Sequence, residues 1–130
     1  MTTVAQDITV FLAQKGFGVV GTNLFETELP AGLPDDAASV REYPGGPPLH
    51  TKTSGAGPAF RYPRFSLTCR SKSARAAQSR CEDGVGHLAG LSGIINGTSY
   101  SSIRAAREPA PVGRDASGRE RVQCDFEAIR

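Results

Sequence analysis

Two adjacent stretches set the hydrophobic pattern of the chain. In residues 60–71, Phe65, Leu67 and Cys69 alternate with Arg64, Ser66, Thr68 and Arg70, the period of two expected of a strand with one face buried and the other wet. From residue 74 the period lengthens. Ala74, Ala77, Cys81, Val85, Leu88 and Leu91 recur at helical spacing, which puts them on one stripe of a helix with Arg75 and His87 opposite. Each element owns one apolar face, so the helix is expected to lie on the inner face of a sheet containing the strand. Gly84 and Gly86 each weaken the intrinsic helix preference by about 1 kcal/mol relative to alanine, so packing must hold this helix.

The rest of the chain is read with the same two periods. Thr3-Val4-Ala5-Gln6 has the form of a capping box, and Val4, Ile8, Phe11 and Leu12 continue as an apolar stripe toward Lys15 and Gly16, predicting a helix over 4–15 closed by a glycine. Asn23 to Leu29 alternates and is expected as a strand ended by Pro30, followed by a turn-rich loop to Asp36. Ala38 to Tyr43 is a second strand, with Val40 on one face and Arg41 and Tyr43 on the other. Pro44 to Pro58 is almost without apolar residues and is expected as a protruding loop. Gly97 to Arg107 is expected as one strand, with Ser99, Ser101, Ile103 and Ala105 against Tyr100, Ser102 and Arg104, ended by Pro109 and Pro111. A hairpin at 107–121 follows, its tip at Val112 to Arg119, with Asp115 opening the turn and Gly118 in the left-handed position. In the terminal strand Val122, Cys124, Phe126 and Ala128 face one way and Arg121, Gln123, Asp125 and Glu127 the other. The order α, β, β, β, α, β, β predicts a single α+β domain over 1–130, with a largely antiparallel or mixed sheet and two helices packed on one face.

Composition trims this picture. At 130 residues, with 15 glycines, 9 prolines and no tryptophan, one modest core with long loops is expected. No apolar run approaches the roughly 18–20 residues that span a bilayer, so no membrane partner is expected. The first residues lack the basic and apolar regions of a secretory signal, so a cytoplasmic site of synthesis is expected. Cys69, Cys81 and Cys124 lack metal-ligand spacing and fall on apolar faces, as buried reduced thiols do.

Net charge is only +2, but it is unevenly spread. Between Glu42 and Glu82 there is no acid, whereas Lys52, Arg61, Arg64, Arg70, Lys72, Arg75 and Arg80 lie there. Such a chain suits either a nucleic-acid groove or the stacking of copies and partners, positive on negative.

Candidate chemistry is sparse. His50 in a loop and His87 on a wet helix face have no neighbours that suggest a triad. Asp35-Asp36 and Glu82-Asp83 are adjacent pairs whose side chains diverge. Gly16, Gly18 and Gly21 spell G-x-G-x-x-G, but the phosphate-binding fingerprint needs a strand before the glycines and a helix after them. Here the order is reversed, and the run reads as a helix-to-strand connection. No catalytic, cofactor-binding or metal-binding residue is therefore expected, and no enzyme.

Several segments in order carry a family resemblance. Asp7-Ile8-Thr9-Val10-Phe11-Leu12, Gly16-Phe17-Gly18 and Thr22-Asn23-Leu24-Phe25 open it, followed by Glu42-Tyr43-Pro44-Gly45-Gly46-Pro47-Pro48 and Tyr62-Pro63-Arg64-Phe65. Ser102-Ile103-Arg104-Ala105, Pro109, Gly113-Arg114-Asp115, Gly118-Arg119 and Asp125-Phe126-Glu127 close it. Over nearly its whole length the chain resembles the small tail terminator proteins of long-tailed phages, also labelled minor capsid proteins. It departs from their pattern at Cys81, Gly84 and Gly86.

The resemblance implies a structural virion protein that assembles as a ring, typically of six subunits, on the head-facing end of the tail tube. Such a ring stops tube polymerisation and meets the head-completion, or stopper, protein, and genomic DNA passes through its lumen. On this reading Arg61, Arg64, Arg70, Lys72, Arg75, Arg114, Asp115 and Arg119 are expected at subunit or tube contacts. Pro47, Leu49, His50 and Lys52 are expected on a partner-facing loop. The alternative expectation is a basic nucleic-acid-binding module encoded by a phage or prophage.

Overall fold

A computed structural model describes residues 3–32, 34–49 and 60–130, with the side chains of 44–49 and 60 outside the description. Helix α1 (Val4–Gln14) opens on the expected capping box: Thr3 Oγ1 accepts from the Gln6 N–H at 3.2 Å and Gln6 Oε1 accepts from the Thr3 N–H at 2.9 Å. Its stripe of Val4, Ile8, Phe11 and Leu12 is buried, and Gly16 turns the chain away at φ 78°.

Strands β1 (Leu24–Glu26), β2 (Ala37–Leu49) and β3 (Phe60–Ser71) precede helix α2 (Ala74–Leu88). After it come β4 (Gly93–Ile95), β5 (Thr98–Tyr100), β6 (Ser102–Ala105), β7 (Ala110–Arg114) and β8 (Glu120–Ile129). The main sheet runs β1-β2-β3-β8-β6, with β7 also pairing β8. Its β1–β2 pair is parallel and the rest are antiparallel, so the sheet is mixed and the fold is α+β.

Both helices cover one face of the sheet, α1 over β1, β2 and β3 and α2 over β3, β8 and β6. Register builds the core between them. Val40, Leu67 and Cys124 lie side by side across β2, β3 and β8, and Phe65 faces Phe126 with rings stacked 5.0 Å apart. Offset stacking of this kind adds to the area the two rings bury.

The structure corrects several expectations about elements. The strand expected over Asn23 to Leu29 ends at Glu26, because Thr27 takes φ 79° and the Glu28 N–H folds back to the Glu26 carbonyl at 3.1 Å. Residues 44–49, expected in a loop, continue β2 against β3 through register shifts after Tyr43 and Gly46; bulges at such shifts are where a strand tolerates proline. The remainder of the expected 44–58 loop lies outside the described residues. The strand expected over Gly97 to Arg107 is two strands on different sheets. Asn96 and Gly97, at φ 49° and 82°, close a two-residue β4–β5 hairpin, and the face parity slips at Ser101, so that Tyr100 and Ile103 are both buried. Pro111 does not end a strand either, since it sits inside β7 at the sheet edge, where a missing N–H costs no ladder bond.

Gly84 is the last correction. It is buried, and a methyl built on it would overlap Leu67 Cδ2 and touch the Phe17 ring. The glycine is a notch that lets α2 approach β3, not a weakness in the helix.

Candidate interaction surfaces

Strand alternation sends every second residue to the face of the sheet away from the helices. Cross-strand register then lines these residues up. Tyr43, Arg64 and Glu127 form one row that Arg104 of β6 completes, and Arg41, Ser66 and Asp125 form the next. Glu127 accepts from Arg104 Nη2 at 2.9 Å and from Arg64 Nε at 3.1 Å. These two guanidiniums, Arg104 foremost, hold its carboxyl below the usual carboxylate range. Arg107 pairs with Asp125 at 2.8 Å. Tyr43 and the second row, with Ser39, Thr68 and Gln123 beyond it, line an open groove of about 660 Å³ that Glu28, Val112 and Asp115 also border.

At one end of this groove the face is closed by the chain itself. Arg70 is only 2% exposed: its guanidinium donates to the carbonyls of Pro30, Gly32, Pro34 and Asp35. Arg119, 3% exposed, donates to Ala31 and Gly32 at 2.6 and 2.7 Å and pairs with Asp115 at 2.7 Å. Arg70 of β3 and Arg119 of the β7–β8 turn thus both bind the carbonyls of the segment before β2, which ties that segment to the hairpin. Desolvation and the nearby Arg119 charge push the Arg70 pKa down. Both arginines, expected at subunit or tube contacts, are committed inside the subunit instead, because a turn rich in free carbonyls needs buried donors. The outer face of β3, expected to be wet, is buried at Arg70 for this reason and at Ser66, a short side chain between Arg41 and Asp125 in the middle of the sheet.

The remaining expected residues scatter. Arg61 is exposed, and its backbone exchanges hydrogen bonds with that of Arg130. Arg64 is partly exposed beside Glu127, Lys72 reaches Asp35 at 3.3 Å, and Arg114 holds Glu120 at 2.6 Å in the last pair before the hairpin turn. Asp115 opens the hairpin turn by accepting from the Ser117 and Arg119 N–H groups, with Gly118 at φ 79°. Arg75 projects from the first turn of α2 at the rim of a second groove, floored by Ala74, Pro111 and Val122. Pro47 and Leu49 lie in β2 with side chains outside the description, and His50 and Lys52 lie outside the described residues. The sequence pattern assigned Arg41, Gln123, Asp125 and Glu127 to their faces, but only register sets Glu127 between Arg64 and Arg104, Asp125 in the row of Arg41, and Gln123 beside Thr68.

A family model described as bacteriophage tail terminator protein matches residues 11–130. The chain belongs to the bacteriophage tail terminator family. Its fold is also that of a chain in the solved structure "Virion of native gene transfer agent (GTA) particle", with a TM-score of 0.66 at 13% identity, covering 99% of this chain and 98% of that one. A comparison with curated proteins finds no match.

Membership of the tail terminator family makes this chain a structural protein of a phage tail, carried in the virion, from a family that is structural and not enzymatic. The interior of this tail terminator family member suits a scaffold. Cys69, Cys81 and Cys124 are free and buried. Hydrogen bonding with Cys81 and burial push the Cys69 thiol far above its usual range, and burial pushes Cys124 up to about 11, so neither supplies a thiolate nucleophile at neutral pH. Among the described residues no group of three or more His, Cys, Asp or Glu is placed to hold a metal ion.

One buried polar cluster was not legible in the sequence. Asp7, fully buried on α1, accepts from the Tyr100 hydroxyl at 2.5 Å and from Asn96 Nδ2 at 3.2 Å, with Arg130 Nη1 at 3.6 Å. Asp7 looks like a first-turn helix residue of ordinary kind, and nothing local announces partners 89 or more residues away.

Proposed function

We propose that this chain assembles as a closed ring, of six copies as the family resemblance implies, on the head-proximal end of the phage tail tube. There the ring ends tube polymerisation and offers its other side to the head-completion (stopper) protein, and genomic DNA passes through its lumen. The observation that carries this reading is the tail terminator family match over residues 11–130. The geometry supports it. The β2–β3 pair continues to Leu49 and Phe60, and the tip of the β7–β8 hairpin is clamped through Arg119. Arg61, Arg64, Lys72, Arg75 and Arg114 are the surface cations assigned to subunit or tube contacts. Made in the host cytoplasm, the chain ends in the virion at the head side of the tail.

The test is a mass measurement by light scattering on the purified chain, alone and with polymerising tail tube subunits. The expected result is a discrete ring whose addition halts tube growth at one end. A strict monomer that leaves tube length unchanged overturns the proposal. One observation favours a second reading: the open face of the sheet carries more arginines than carboxylates, as a nucleic-acid-binding module would. That reading requires a gel shift whose affinity falls steeply with salt and no discrete oligomer.

A further inference from the structure

The two long edges of the main sheet differ in a complementary way. The β1 edge is mainly acidic: Glu26, Glu28, Asp36 and Glu42 are exposed, and none of them is in an ion pair among the described residues; the nearby cations are Arg41 on the open face and Arg80, whose guanidinium is spent on the Phe17 carbonyl at 3.0 Å. The same edge carries an apolar corner, Val19 and Val20, which are 62% and 54% exposed and sit on the turn that leads into β1. At the opposite edge, α2 and β7 enclose a groove of about 420 Å³ floored by Ala74, Pro111 and Val122. Its rim holds Arg75 and Arg121, neither in an ion pair among the described residues, together with Glu82, which accepts from Gln78, and Glu120, whose charge is held by Arg114 at 2.6 Å.

We infer that the Val19–Val20 corner and the carboxylates beside it dock into the α2–β7 groove of a second copy of this chain. The knob and its socket lie at opposite ends of one sheet. That is the arrangement a heterologous, head-to-tail contact requires, and repetition of it by rotation closes a ring. Two valines that leave water on docking supply the non-directional part of the contact. Glu26 and Glu28 meeting Arg75 and Arg121 supply register and sign. A contact of knob with knob would place carboxylate against carboxylate, so the same charges disfavour a two-fold dimer. The inference rests on the ring reading and names the surfaces that form it.

The experiment uses two charge-reversed variants, Glu26→Arg with Glu28→Arg, and Arg75→Glu with Ser79→Glu. All four positions are exposed, so circular dichroism of each variant is expected to match the wild type. Each variant alone is expected to associate at least tenfold more weakly than the wild type by light scattering. Mixed in equal amounts, they are expected to regain a ring, since each reversed edge then meets an edge of opposite sign, and only rings of even number can alternate. Val20→Ser, which leaves every charge in place, is expected to weaken association as well. Variants that keep the wild-type mass, or folded variants that stay monomeric when mixed, overturn the assigned surfaces while a wild-type ring leaves the ring reading standing. A wild-type chain that is monomeric at every concentration overturns both.

Discussion

At the scale of single residues, this fold turns on positions whose value depends on what lies opposite. Gly84 and Gly86 stand two apart in α2 and look alike in the sequence, yet a methyl on Gly84 overlaps Leu67 while Gly86 faces open space. Gly86→Ala is therefore expected to stabilise by about 1 kcal/mol through helix preference alone. Gly84→Ala is expected to destabilise by roughly 1–2 kcal/mol, because overpacking a close contact outweighs the same gain. Urea denaturation midpoints of the two variants, at unchanged slope, check both signs. Thr27 is the reverse case, a β-branched residue held at φ 79°, where strain costs on the order of 1–3 kcal/mol. Thr27→Gly relieves it at some cost in unfolded-chain entropy, for an expected net gain of about 0.5–1 kcal/mol in the same assay.

At the scale of elements, the turn of the β7–β8 hairpin is fixed by one carboxylate and the arginine it binds. The Arg119 and Ser117 N–H groups and the Arg119 guanidinium bind Asp115 and hold its carboxyl below the usual range. A carboxyl depressed in the folded state adds stability above its ordinary pKa and loses it as pH falls through the depressed value. The stability difference between wild type and Asp115→Asn is therefore expected to be full at neutral pH and to shrink below about pH 4. Denaturation midpoints measured across that range test it, and a difference that grows on acidification contradicts the assigned role. The β4–β5 hairpin shows the opposite balance, since its Asn96-Gly97 turn is a strong local signal for two tight-paired strands. A regular alternation through Ser99 to Ala105 nonetheless reads as one continuous strand, and the break at Ser101 follows from which sheet each half joins.

At the scale of the whole molecule, Asp7 ties the first helix to the β4–β5 turn through Asn96, to β5 through Tyr100 and to the last residue through Arg130. Burial, and then the bond to Asp7, push the Tyr100 hydroxyl pKa upward, so it remains a donor at all working pH. Tyr100→Phe strips a buried carboxylate of a 2.5 Å hydrogen bond, at an expected cost of about 1.5–3 kcal/mol. Thermal and urea unfolding measure this, and a loss under 0.5 kcal/mol refutes the idea that the cluster binds these parts into one cooperative unit. The open face of the sheet and its two unlike edges exist only at this scale, which is why the surfaces assigned to assembly could not be read from the run of basic residues.

Local chemistry by itself determined α1 and its cap, the inner face of β3, the two faces of β8, the Ala77, Cys81 and Leu88 stripe of α2 and the turn at Asp115, because hydrogen-bond geometry and side-chain period act over a few residues. It also placed the α+β class and, through ordered motifs, the family. Tertiary structure alone decided that Gly84 is a notch, that Arg70 and Arg119 face inward to satisfy the carbonyls of the 30–35 turn, that Tyr100 and Ile103 are both buried, and that Asp7 is a buried hub. In each case the deciding partner is remote in the chain. A pattern of polar and apolar positions states which side of an element seeks burial, but not which distant group will be waiting there.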